Sequence, residues 1–493
     1  MPHQNDAPYD LLLHNVRVVR PGATDVPLAD IGVRGERIAA IGPQLDPAGA
    51  HTVIDGRGRH AFPGVVDAHM HTGIYSPLQE DAVTESRAAA QGGVTTSLNY
   101  FRSGQYYLNE GGPYARLFPR VLELSDKRFH VDYAYHLAPI DSTHVSEMES
   151  LVEKHGVISF KIFMFYGGYG LHGASGHQRE FLMIGEEENY DIAHFEFVMR
   201  GAQRAMERFP DRRNEISVSL HCETAEILNA YTRIVERDTS LSGLRAYSAA
   251  RPPHSEGLAV CIAAYLAHET HCVNINLLHL SSRKAVEAAL TMAQAFPHID
   301  FRREVTIGHL VLDYDSPAAA LAKVNPPIRS REDVEYLWRT LLEGKLDWVC
   351  SDHACCRHEL KMPPGGGKDI FLAKSGFGGT EYLLPALITA GRPRGLSLNR
   401  IAELTALNPA RRFGLRRKGD IAVGMDADIA LIDLDRSRVI HAADSLSAQG
   451  YTPFEGFELT AQVATTILRG RVIYDGGAIV GPASGRYLHR PYS

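Results

Sequence analysis

Between roughly residues 64 and 415 the chain keeps one rhythm, in which short β-branched apolar runs alternate with loops and helical stretches. That alternation demands parallel strands joined by crossover helices. Eight runs qualify as strands: PGVVDAHMH, GVTTSLNYF, FHVDYAYHL, VISFKIFMF, ISVSLHCE, VNINLLHLS, IDFRREVTI and LDWVCSDH. Helical patterns cover 81–91, 144–155, 255–270, 283–296, 331–343 and 379–391. Together they predict an α/β fold, a TIM-type (β/α)8 barrel over 63–415. The two ends have another texture. YDLLLHNVRVV, ADIGVRGERIAAIG and HTVIDGRGRHAFPG precede the barrel, and GDIAVGMDADIALIDLD and VATTILRGRVIYDG follow it. Neither end has enough strands to bury a face alone, so 1–62 and 416–493 are expected to pair into one small β-sandwich.

With 493 residues, 44% of them hydrophobic, the chain can bury a large core. A net charge of −7 argues against a nucleic-acid partner. Six cysteines, two of them adjacent (Cys355, Cys356), make no disulfide framework and suit a reducing compartment. The opening MPHQNDAPYD lacks the charged-then-apolar layout of a signal peptide. No apolar stretch approaches the roughly 18 residues of a membrane span. A soluble, cytoplasmic protein is expected.

The chemistry lies at the strand ends. Along PGVVDAHMH alternate residues share a face, so Asp67, His69 and His71 point into the barrel. Two imidazoles about 7 Å apart on one strand can converge on a single cation; the competing reading is two ordinary buried histidines. In VISFKIFM, Lys161 sits between bulky apolar neighbours. A charged ammonium there is costly, so it is either ion-paired or snorkelling, or a neutral amine able to capture CO₂ as a carbamate. ISVSLHCE ends near His221, NINLLHLSS near His279 and LDWVCSDHA near Asp352. A lone strand-end histidine is more often structural, and Asp352 alone could cap a helix. Several strands delivering such residues to one rim point to a metal centre. His353 follows Asp352 as a supporting neighbour without a catalytic role.

Taken in order, GVVDAHMH, SFKIFMFY, SLHCE, LLHLSS and CSDHA resemble the amidohydrolase superfamily, and within it the cyclic amidase branch of hydantoinases, dihydropyrimidinases, allantoinases and dihydroorotases. GMDADIALID at 424–433 is similar to that family's return into its sandwich. The resemblance implies that His69, His71 and Asp352 hold one divalent cation and His221 and His279 another. A carbamate on Lys161 and a hydroxide would bridge them, with zinc the expected metal. It further implies that Asp352 moves the proton to the leaving nitrogen. Tyr166, five residues after Lys161, matches the hydantoinase tyrosine that donates to the oxyanion. A homo-oligomer, dimer or tetramer, follows by the same analogy, as does a small cyclic amide as substrate.

The chain also departs from the pattern. KVNPPIRS at 323–330 is similar to the dihydroorotase substrate loop, with Asn325 offering both a donor and an acceptor. Thr72 and Gly73 stand where dihydroorotases carry an arginine for the substrate carboxylate, which speaks against dihydroorotate itself. In AKSGFGGTE at 373–381, Ser375 takes the place of a hydantoinase asparagine, and Ser375 and Gly378 are further candidate substrate contacts. The 167–190 stretch is long, bringing Tyr169, His172 and His177 near the mouth, and the PPGGGKD segment reads as a flexible lid rather than a phosphate loop. A binuclear hydrolase of cyclic amides is therefore expected. The alternatives are an allantoinase- or dihydroorotase-type ureide hydrolase, a deaminase-like or linear-amide reaction, and a non-catalytic scaffold.

Overall fold

The computed structural model describes residues 8–167, 178–362 and 369–493. Tyr169, His172, His177 and the residues PPGGGK lie outside the described residues.

Eight parallel strands form the barrel: β1 (Val65–Met70), β2 (Val94–Phe101), β3 (Asp132–Leu137), β4 (Ser159–Phe163), β5 (Ser217–His221), β6 (Asn274–Leu277), β7 (Asp300–Thr306) and β8 (Trp348–Cys350). They neighbour one another in chain order. The seam between β8 and β1 is closed by the His71 N–H donating to His353 O at 2.7 Å and by a parallel bridge between Met70 and His353. Most barrel strands are buried along their whole length, which is why they read as nearly continuous apolar runs.

Helices alternate with the strands, and their starts are written in the sequence. Asp141 accepts from His144 N at the head of Ser142–His155, Ser282 from Ala285 N at the head of Arg283–Ala295, and Ser330 from Asp333 N at the head of Arg331–Leu342. Each cap satisfies an amide that the helix leaves orphaned. Helix Tyr114–Ser125 buries Tyr114, Leu117, Phe118 and Val121, one stripe at helical spacing. Among the described residues no helix is long and apolar enough to cross a membrane.

The chain ends join in one nine-stranded, mostly antiparallel sheet. His60–Pro63 links them, pairing with Tyr9–Val18 on one side and with Ile429–Asp433 on the other. The expected sandwich is thus a single continuous ladder. It divides where Tyr9–Val18 pairs first with Ala50–Asp55 and then with His60–Pro63. Leu13, Val16, Ile31, Val33, Ile429 and Ile467 form its apolar core.

A buried ionic clasp ties this sheet to the base of the barrel. Lys418 Nζ lies 2.9 Å from Asp132 Oδ2, 2.5 Å from Asp428 Oδ2 and 3.3 Å from Asp426 Oδ2, and Arg469 pairs with the other oxygen of Asp132. The C-terminal tail then runs beneath the barrel. Arg490, fully buried, donates to Ser159 Oγ at 3.0 Å and to Tyr135 O at 2.5 Å. On the opposite side, Ser447 donates to Glu85 at 2.6 Å, so the C-terminal segment touches both ends of the barrel.

Candidate metal centre

Strand alternation brings His69 and His71 to the C-terminal rim, but Asp67 goes elsewhere. Asp67 accepts from Ser351 N at 3.1 Å, from Ser351 Oγ and from Thr380 Oγ1 at 2.8 Å, sewing β1 to the end of β8. His69 and His71 instead meet Asp352 Oδ1, their Nε2 atoms 3.2 and 3.3 Å from it. Donor atoms of these three residues lie within 4.8 Å of one another, as one cation requires. The opposed nitrogens are also held: His69 Nδ1 is 2.7 Å from Glu304 Oε1, and His71 Nδ1 is 2.7 Å from Tyr107 OH.

His221 and His279 close the other side of the cavity. Their ring centroids are 4.4 Å apart, and His279 is 5.3 Å from His69. His221 Nε2 is anchored 2.7 Å from Glu223 Oε2, and Arg251 Nε reaches Glu223 Oε1 at 3.0 Å. Glu223 is fully buried, yet Arg251 and His221 outweigh that burial and hold its carboxyl down to about 2. Burial pushes His221 down to about 4, and it pushes His69 and His279 far below the usual imidazole range. These are neutral nitrogen donors, the form that binds metal. The Asp352 carboxyl lies below its ordinary value, because its neighbours His69, His71 and Lys161 together oppose the effect of burial.

Two of these residues adopt backbone angles that side chains avoid. Asp352 has φ 55° and His279 φ 33°. Such strain persists only where surrounding structure imposes it, and it gathers at functional sites.

Lys161 lines the same cavity as His71, Asp352, His221 and His279. It is fully buried and, among the described residues, its Nζ makes no hydrogen bond. The amine lies 4.3 Å from the Tyr100 ring centroid and 4.8 Å from that of Phe163. Burial lowers it to about 8, against the pull of Asp352 and Glu304. His69 Nε2 is likewise buried without a hydrogen bond. Unsatisfied buried polar atoms of this kind are rare and call for a missing partner. Neutral imidazoles, one carboxylate and a nucleophilic amine fit divalent cations of the zinc class.

The cavity beside them is lined by His71, Tyr75, Tyr107, Lys161, Tyr166, His221, His279, Asn325, Asp352, Ser375 and Gly376 among others. Tyr166 is buried and stacks on Phe163 at 4.8 Å between centroids. Asn325 Oδ1 accepts from Tyr247 OH at 2.5 Å and from Ser375 Oγ at 3.3 Å. Gly378 does not line the cavity. Its N–H goes to Gln449 Oε1, and a Cβ there would meet His353 Cε1 at 2.8 Å, so Gly376 occupies the wall instead. His353 is a strut: Nδ1 accepts from Gly379 N and Thr380 N, and Nε2 faces Glu85 Oε2 at 2.8 Å.

Sequence reasoning missed Glu304, Glu223, Arg251, Tyr100, Tyr107 and Tyr247. The signal for Glu304 was masked by Asp300, Arg302 and Arg303 in the same strand. For the tyrosines there was none, since aromatic residues at strand ends are ordinary core.

With this geometry in view, comparison with known proteins places the fold. Residues 61–473 match the model of the Amidohydrolase family, and the chain belongs to that family. Within it the chain is similar to the allantoinase of Rubrobacter xylanophilus, 34% identical over 97% of both chains, and to that of Desulfitobacterium hafniense, 32% identical over 98% of this chain and 99% of that one. Among solved structures it is similar to the dihydropyrimidinase of Brevibacillus agri (TM-score 0.83, 27% identity, 98% of each chain). The L-hydantoinase of Arthrobacter aurescens is comparable, with TM-score 0.82, 25% identity, and 97% of this chain and 99% of that one covered.

Proposed function

We propose that this protein is a metal-dependent cyclic amidase that opens a small ureide or related lactam or imide ring, with allantoin the first substrate to test. One observation carries the reading: the buried Lys161 amine, without a hydrogen bond among the described residues, lines the same cavity as His71, Asp352, His221 and His279. Full-length similarity to proteins named allantoinase supports the ureide class.

His69, His71 and Asp352 would hold one cation, His221 and His279 the second, and Lys161 as its carbamate would join them. Two divalent cations held there would supply a nucleophilic water acidified toward neutral pH and would polarise the ring carbonyl. Asp352 takes the proton from the attacking water and delivers it to the ring nitrogen as the C–N bond breaks, because an amide anion leaves poorly. Tyr166 donates its hydroxyl proton as a hydrogen bond to the carbonyl oxygen as that oxygen becomes negative. Asn325 and Ser375 orient the ring. The product carries a new carboxylate and a free N–H. A cytoplasmic homo-oligomer, dimeric or tetrameric, completes the proposal.

The test is a ring panel (allantoin, hydantoin, dihydrouracil, dihydroorotate, succinimide and a lactam) with the zinc- and bicarbonate-loaded protein. Chelation and Lys161→Ala should each abolish ring opening, and zinc should restore it only in the wild type. Zinc-replete protein that opens no ring on the panel refutes the reading.

A further inference from the structure

Arg102, which directly follows β2, carries a charge that the metal ligands leave unexplained. It is 1% exposed. Its Nη1 donates to Ser103 O at 2.9 Å and to Gln105 O at 2.8 Å. Among the described residues Nε and Nη2 are buried without a well-formed hydrogen bond and Arg102 has no ion-pair partner, though the guanidinium approaches the Tyr166 hydroxyl closely enough to favour its ionised form. Aromatic faces take the place of an anion: Cζ lies 4.5 Å from the ring centroid of Phe181, 5.2 Å from that of Tyr166 and 5.7 Å from that of Tyr107.

Two of those rings belong to the cavity wall. Tyr107 holds His71 Nδ1 through its hydroxyl, and Tyr166 is the residue proposed above to donate to the carbonyl oxygen. The surroundings are built tightly around the guanidinium. Gln105 N donates to Phe181 O at 2.9 Å, and a Cβ on Gly104 would strike the carbonyls of Phe181 and Leu182 at 2.8 and 2.9 Å. If packing were the only need, an apolar side chain would fill this place without burying a charge. Burial raises the Tyr166 phenol above the usual range, and the Arg102 charge is the largest influence opposing that rise.

We propose that Arg102 is a positioning residue for ring opening, which aims Tyr166 at the cavity and strengthens its hydroxyl as a hydrogen-bond donor. The inference rests on the cyclic-amidase reading above. A cation behind a phenol matters little to a neutral carbonyl and more to one becoming negative, so the effect belongs in kcat rather than KM.

The test uses full-length, zinc-loaded wild type, Arg102→Met, Arg102→Lys, Tyr166→Phe and the two double variants. Zinc per chain and the thermal midpoint are read beside kcat and KM on the panel ring opened fastest. Arg102→Met should keep its zinc and lower kcat about tenfold or more, with KM changed by less than about threefold. Arg102→Lys should recover most of that loss. In the Tyr166→Phe background either Arg102 change should cost less than about twofold, the signature of two groups acting through one contact. Equal losses in both backgrounds, or a rise in KM with kcat intact, would overturn the proposal. Should Arg102→Met fail to fold, the same cycle run with Arg102→Lys decides. Wild type that opens no ring refutes the reading of the site and this role with it; active wild type with independent losses refutes only the role of Arg102.

Discussion

Glu304 Oε1 lies 2.7 Å from His69 Nδ1, and this contact settles which nitrogen of His69 faces the cavity. Trp348 Nε1 donates to the other carboxylate oxygen at 2.8 Å, and the His279 N–H donates to Oε1 at 3.1 Å. Burial raises Glu304, while Trp348, Lys161 and the His279 amide act to keep its charge. Three donors converge on two oxygens, so His69 carries its proton on Nδ1 and turns a bare Nε2 toward Asp352.

Glu304→Gln should therefore weaken metal retention. A glutamine has only one acceptor oxygen, and its amide N–H₂ would face the N–H of either Trp348 or His69. Zinc affinity should fall about 10–100-fold with the fold intact. Zinc per chain after dialysis against graded chelator, with circular dichroism as control, measures this. Retention equal to wild type would refute the orienting role.

Tyr247 sets the face that Asn325 presents, since its hydroxyl reaches Asn325 Oδ1 at 2.5 Å. Tyr247→Phe removes a hydrogen bond of roughly 0.5–1.5 kcal/mol. The expected outcome is a KM raised by about threefold to tenfold with kcat within about twofold. Steady-state kinetics on the ring opened fastest checks it, and a loss confined to kcat would contradict it.

Lys418 holds the terminal sheet against the barrel through Asp132, Asp428 and Asp426. Lys418→Met leaves buried carboxylates short of a cation, at a cost of about 3–5 kcal/mol. Urea unfolding should show a clearly lower midpoint. An unchanged midpoint would mean that Arg469 alone neutralises the cluster.

The same clasp gives stability a sign with pH. Burial alone would raise Asp132, but Lys418 and Arg469 together hold it below the ordinary carboxylate value. A carboxyl depressed in the folded state stabilises above its unfolded value of about 3.9, and that contribution disappears as pH falls through the lower folded value. Wild-type stability should fall as pH is lowered below about 4. In Lys418→Met the Asp132 share of that fall should be smaller. Denaturant midpoints from pH 6 to pH 2.5 test this, and parallel slopes in the two proteins would exclude it.

Much of the barrel was legible beforehand. All eight strand segments recur within the runs read from the sequence, because burial on both faces of most of them leaves apolar stretches bounded by glycine, proline or charge; β7, DFRREVT, is the exception. Several helices were not read. Tyr114–Ser125 contains Pro119, a local signal against helix that packing of Tyr114, Leu117, Phe118 and Val121 overrides. Ile192–Arg208 follows a long loop, and Ala225–Val235 and Gly243–Ala250 are short, so their periodicity had little length to accumulate.

The sequence by itself determined the order of the strands and the donor-type residues at their ends, because period-two alternation and position within a strand are local properties. Only the tertiary structure decided that Asp67 turns to Ser351 and Thr380, that Gly376 rather than Gly378 lines the cavity, and that Glu304 holds a histidine 235 residues away. Those pairings depend on closure of the barrel and on where the loops come to rest. Side chains far apart in the chain find their partners only once that geometry exists.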